Sequence, residues 1–150
     1  MFSDAQIIFR LVLSALLSGL IGLERQMHKC TAGLRTHILV SLGSCLIMLT
    51  SLYVFDIYKD KAPLDPARIA AGVITGIGFL GAGAIIRERA EVKGLTTAAS
   101  LWVVAAIGLA VGCGFFKAAI YSAILALVIL FILRYIEGLI FFEDKIGERK

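Results

Sequence analysis

Five apolar blocks, each long enough to cross a bilayer, leave this chain little choice of fold. They cover residues 7–23, 37–55, 69–86, 95–113 and 116–133, and a transmembrane helix needs about 17–25 apolar residues. Hydrophobic residues make up 59% of the 150 and charged ones 17%, against roughly 45–50% and 25% in soluble domains. The chain reads as one all-α integral membrane domain over residues 1–150. Its architecture is a bundle of about five transmembrane helices packed through Gly, Ala and Ser faces. The net charge of +4 is no sign of nucleic-acid binding, because the basic residues sit at the ends of apolar blocks. The first block carries Asp4 and is interrupted by Arg10, so it is expected to be a retained helix rather than a signal peptide.

The third and fourth blocks, Ile69 to Leu101, hold the most distinctive pattern. Gly72, Gly76, Gly78, Gly81 and Gly83 fall within one apolar span. Each glycine costs about 0.8–1 kcal/mol in an exposed soluble helix. In lipid, by contrast, helices associate by close backbone approach through small residues. Gly72 and Gly76 form a GxxxG step, and these five glycines are expected to pack helices together. A six-residue charged turn, Arg87 to Val92, precedes the fourth block, where Ala98, Ala105 and Gly112 recur every seven residues and Trp102 is expected near the interface.

Small residues mark other contacts. Ser14, Ser18 and Gly22 recur every four residues in the first block. Arg10, near its start, is positioned to snorkel to the headgroups. His37, Ser41, Ser44, Met48 and Ser51 share one face of the second block. That face fits either interhelical hydrogen bonding or one wall of a polar pathway. Thr36 is the expected N-cap of the second helix, and Asp65-Pro66 the expected start of the third, with Arg68 one turn on. In the fifth block Arg134 and Glu137 are spaced to pair, with Tyr135, Phe141 and Phe142 at headgroup level. Cys45 and Cys113 are expected as small packing residues. Counting cations puts Arg25, Lys29, Arg35, Arg87, Arg89, Lys93, Arg134 and the C-terminal cluster on one side. Arg10, Lys59, Lys61, Arg68 and Lys117 lie on the other. The positive-inside rule then sets the N-terminus outside and the C-terminus inside.

Enzyme chemistry is not expected: GxSxG, HExxH, phosphate-loop and paired-cysteine patterns are missing from the sequence, and no cofactor is implied. The candidate site lies at the expected cytoplasmic ends of three helices. The first contributes Glu24, Arg25 and Gln26, the second Arg35, Thr36 and His37, and the fourth Lys93, Thr96 and Thr97. Such a group fits a binding site for an ion, an anionic headgroup or a partner segment. It also fits a salt-bridge and capping network, with Glu24 facing Arg35. Asp65 and Arg68 form a separate motif on the outer face. Magnesium needs hard oxygen ligands, and the apolar blocks contain no acidic residue, which favours a regulator over a pore.

Four motifs in order, GLERQ (Gly22 to Gln26), GLRTH (Gly33 to His37), DPARIAAGVITGIGFLGAGAII (Asp65 to Ile86) and VKGLTTAASLW (Val92 to Trp102), followed by AAIG (Ala105 to Gly108), resemble the membrane domain of the MgtC/SapB family. The resemblance implies a multi-pass protein of the bacterial inner membrane. It also implies adaptation to low magnesium and, in pathogens, survival inside host cells, through regulation of other membrane proteins. The alternative it leaves open is a channel or transporter for Mg2+, H+ or a small solute. The implied partners are the lipid bilayer and other membrane proteins or a second copy. Longer relatives carry a cytoplasmic C-terminal domain beyond the point where this sequence stops. The virulence-associated relatives in that family often have Asn where this chain has Thr96 and Cys where it has Val103.

Overall fold

Ser3 turns the chain into helix: its hydroxyl accepts from the Gln6 N–H while the Gln6 side chain takes the Ser3 N–H, a capping box that satisfies two otherwise orphaned donors. The computed structural model describes residues 2–61, 63–88 and 91–147, and side chains among these apart from those of residues 87, 88, 91 and 137–147. Its helices are α1 (Asp4–Met27), α2 (Leu34–Tyr58), α3 (Ala67–Ala84), α4 (Leu95–Cys113) and α5 (Phe116–Gly147). All five are long and apolar enough to cross a membrane, and successive helices run in opposite directions. One end of the bundle carries Glu24, His37 and Arg134. The other carries Arg10, Ser51 and Pro66.

Most helices outrun their apolar blocks. Hydropathy marks where lipid ends, whereas a helix continues until backbone chemistry stops it. α1 therefore carries Glu24 to Met27 as helix, and α5 runs on from Leu133 to Gly147. The side chains of Glu137, Phe141 and Phe142, and the whole of Arg89, lie outside the described residues. The charged turn after α3 is instead a β-hairpin, β1 (Ile86–Glu88) with β2 (Glu91–Lys93), in the register Ile86 to Lys93 and Arg87 to Val92. Gly94 then starts α4 at φ +91°, where an added Cβ would overlap the Ala84 carbonyl oxygen. Only glycine allows both that dihedral and that approach.

The bundle is centred on α4, which packs against α1, α2, α3 and α5. Val104, Ile107 and Val111 join Ile21 and Cys45 in one buried cluster, while Leu101 and Ala105 join Ile77 and Ala32 in another. Two seams are too close for any side chain. At Gly108 a Cβ would overlap the Ser41 carbonyl oxygen and lie 2.9 Å from Ser44 Cβ. At Gly112 it would lie 2.7 Å from Met48 Cβ. On α1, Gly22 meets Leu34 Cα and His37 Cβ in the same way, each at 2.9 Å. The expected packing through small faces is thus present, on α1 and α4.

The α3 glycines behave differently from expectation. Among the described residues, a Cβ at Gly72, Gly76, Gly78 or Gly83 would meet nothing within 4 Å, and of the five glycines only Gly81 meets a neighbour, Ala98 Cβ at 3.6 Å. α3 lies at the edge of the bundle, so its glycine faces look outward rather than holding this chain's helices together. Arg10 also departs from its expected place. Its guanidinium donates to the Gly112 carbonyl at 2.6 Å and lies 4.1 Å from the Phe2 ring, ending α4 with a cation where the helix dipole favours one. Cys45 is buried as expected, but Cys113 is exposed.

Candidate functional site

The Glu24 end is built by the turn between α1 and α2. α1 stops in a Schellman motif: Cys30 N–H donates to the Arg25 carbonyl and Lys29 N–H to the Gln26 carbonyl. Lys29 takes the left-handed position at φ +55°, usually given to glycine. The chain then reverses into α2 at Gly33 rather than at Thr36. Gly33 has no side chain to cap with, so the Gln26 side chain reaches across and accepts from Leu34 N–H at 3.1 Å. A Cβ at Gly33 would lie 2.9 Å from Gln26 Oε1 and would push that capping side chain aside.

This turn buries His37 completely. Its Nδ1 lies 2.8 Å from the Gly33 carbonyl, which can only accept, so Nδ1 carries a hydrogen. Its Nε2 lies 2.9 Å from Ser100 Oγ on α4, and that same oxygen is 2.8 Å from the Thr97 carbonyl. The single Ser100 hydroxyl hydrogen serves one of the two acceptors at a time. His37, Ser100 and Thr97 thereby tie α2 to the first turns of α4.

Glu24 is 2% exposed and faces two arginines and a histidine. Its Oε1 accepts from Arg134 Nη1 of α5 at 3.0 Å and lies 3.1 Å from His28 Nδ1. Its Oε2 is 3.6 Å from Arg25 Nη1, too long for a hydrogen bond. Arg25 is itself only 5% exposed. Glu24 Oε2 and Arg25 Nε are both buried without a hydrogen-bond partner. Such groups are costly in an apolar setting, so the pair marks a place where the chain alone does not meet its own polar demand.

The nine candidate residues therefore separate. Glu24, Arg25, His37 and Thr97 are buried, and Gln26 caps α2. Arg35, Thr36, Lys93 and Thr96 lie on the surface, and Thr96 lines a groove between α4 and α5. The expected partner of Glu24, Arg35, is replaced by Arg134, which is 110 residues away in sequence. No local signal could have revealed that pair. His28 and Ser100 were also missed, although Ser100 follows Thr97 by three residues on one helical face. At the opposite end Asp65 Oδ1 accepts from Ala67 N–H at 2.8 Å and so starts α3 as expected, one residue late, while Arg68 is exposed. Among the described residues no three His, Cys, Asp or Glu side chains gather as a metal site.

Comparison with known proteins gives one family. The model described as MgtC family matches residues 11–139. YhiD of Escherichia coli strain K12, described as a proposed magnesium transporter, is 49% identical over 128 residues, covering 84% of this chain and 60% of YhiD. Protein MgtC of Salmonella typhimurium strain LT2 is 46% identical over 120 residues, 80% of this chain and 49% of that one. Protein SapB of Bacillus subtilis strain 168 is 39% identical over 150 residues, 97% of this chain and 62% of that one. The chain thus spans about half to three fifths of the length of these relatives. No solved structure matches.

Proposed function

The chain belongs to the MgtC family, and from that premise we propose that it is a bacterial inner-membrane protein that helps cells adapt to low magnesium by binding and regulating other membrane proteins. Magnesium enters this reading from the description of YhiD. The structural observation that carries it is the state of the polar stripe on α2. Ser41 donates to the Ser14 carbonyl at 3.3 Å, Ser44 to the Val40 carbonyl at 2.8 Å, and Ser51 to the Pro66 carbonyl. The backbones of Gly108 and Gly112 close over the same face. A face sealed in this way supports packing over a solute path. The surface left for a partner is α3, where the outward Gly72 and Gly76 offer another transmembrane helix, or a second copy, the close approach that lipid-embedded helices use. On this reading the protein acts through contact and not through catalysis. The positive-inside count supports the Glu24 end as cytoplasmic.

The test is complementation. Cells lacking the protein are grown at limiting magnesium and supplied with the wild type or with Gly72→Leu/Gly76→Leu. The variant is expected to insert and fold, because a Cβ at either position would meet nothing within 4 Å among the described residues, yet to fail to restore growth. Full restoration by a variant shown to be folded would remove the α3 face from the function.

A further inference from the structure

Two features lie toward the Glu24 end that partner binding at α3 does not use. The first is an open groove of about 510 Å³ between α4 and α5. Small residues, among them Ala99, Ala106 and Ala110 on α4 and Ala118 and Ser122 on α5, alternate in its lining with larger apolar ones such as Trp102. The second is the unsatisfied pair, Glu24 Oε2 and Arg25 Nε. Helical spacing sets the cluster one turn beyond the groove's lining. Ile21 and Leu130 line the groove. Arg25 and Arg134 follow them by one turn each on the same helical faces, and Arg134 closes onto Glu24 at 3.0 Å. We propose that the groove and the Glu24–Arg25–Arg134 cluster together hold one phospholipid with an anionic, hydroxyl-bearing headgroup, of the phosphatidylglycerol type.

The dimensions suit an acyl chain. From Thr96 to Ala110 the groove follows α4 for about 21 Å at 1.5 Å per residue, longer than the roughly 15 Å depth of one leaflet's hydrocarbon. The small residues in its lining leave room that larger aliphatic side chains would fill. The headgroup follows from charge and hydrogen bonding. Among the described side chains, Arg25 and Arg134 set two positive charges against the one negative charge of Glu24, so an anion neutralises the cluster. A phosphate supplies acceptor oxygens for the buried guanidinium, the strongest class of such hydrogen bonds. A glycerol hydroxyl supplies the donor that Glu24 Oε2 lacks. Phosphatidylcholine supplies neither the net charge nor the donor. Phosphatidylethanolamine supplies a donor without the net charge.

The experiment is native mass spectrometry of the full chain released from vesicles of equal phosphatidylglycerol, phosphatidylethanolamine and phosphatidylcholine. One phosphatidylglycerol per chain is expected to survive delipidating washes, retained about tenfold over each zwitterionic lipid, the step that one charge-assisted contact gives. Arg25→Gln is expected to remove that preference. Since Arg25 is buried and its variant could fail to fold, Ala106→Phe provides the second arm. It fills the groove from an accessible position and is expected to reduce retention while leaving the melting temperature unchanged. Equal retention of all three lipids, or undiminished retention in Ala106→Phe, overturns the proposal. So does displacement of the lipid by inorganic phosphate, which makes the cluster a free-anion site. A second copy seated in the groove, seen as a lipid-free dimer, overturns it as well.

Discussion

Gly108→Ala adds one methyl group at the closest seam of the bundle. The added Cβ would overlap the Ser41 carbonyl oxygen and stand 2.9 Å from Ser44 Cβ. The main obstruction is backbone, which cannot rotate away as a side-chain tip would, so α2 and α4 must part. Overpacking of this kind costs about 1–3 kcal/mol, and a backbone obstruction places the cost near the upper end. Alanine returns about 0.8–1 kcal/mol of helix propensity, leaving a net loss of about 2 kcal/mol. At roughly 2–4 °C per kcal/mol for a chain of this size, the melting temperature should fall by about 4–8 °C. Gly76→Ala is the matched control: the same chemical change on α3 meets nothing within 4 Å and should leave stability unchanged or slightly raised. The assay is thermal unfolding of the purified monomer in detergent, read by the loss of the monomer peak. If Gly108→Ala melts with the wild type, or Gly76→Ala falls by as much, the assignment of the packing seam to α2 and α4 is wrong.

Other expected outcomes follow from single contacts. Glu24→Gln removes the carboxylate that, among the described side chains, faces Arg25 and Arg134. Breaking a buried pair costs about 3–5 kcal/mol, and the part-exposed Arg134 sets the lower end, so denaturant titration should show a loss of about 3 kcal/mol. Lys29→Gly relieves a left-handed residue at the end of α1 and should raise stability by up to about 1 kcal/mol; a loss would mean that the Lys29 side chain holds the turn. Arg10→Ala removes a charged hydrogen bond to the end of α4, worth about 1.5–3 kcal/mol, and hydrogen exchange at Gly114 and Phe115 should accelerate. Gly94→Ala combines a disfavoured dihedral with an overlap on Ala84 and should lower the yield of folded protein, unlike Gly83→Ala.

The helices were legible because lipid imposes one rule on every block, and apolar length alone satisfies it. The α4 boundaries, Leu95 and Cys113, were readable because Gly94 and Gly114 flank them. Long-range choices were not readable. The α3 glycines and the pair Gly108 and Gly112 look alike as sequence, and which set faces a neighbour depends on the helix that ends up in the centre. Glu24 was singled out from its place at the expected cytoplasmic end of the first helix, but its partner came from α5, where Arg134 was expected to pair with Glu137. The cap of α2 was assigned to Thr36 by local rules, and a side chain from the preceding helix took that role instead.

The most direct test of the sealed α2–α4 seam, and so of action by contact, is magnesium flux into liposomes holding the purified, folded protein, with empty liposomes and a His37→Ala protein beside it. Uptake no greater than in empty liposomes is the result expected here. Saturable magnesium uptake by the wild type, lost in His37→Ala, would show that the stripe conducts and would contradict the account.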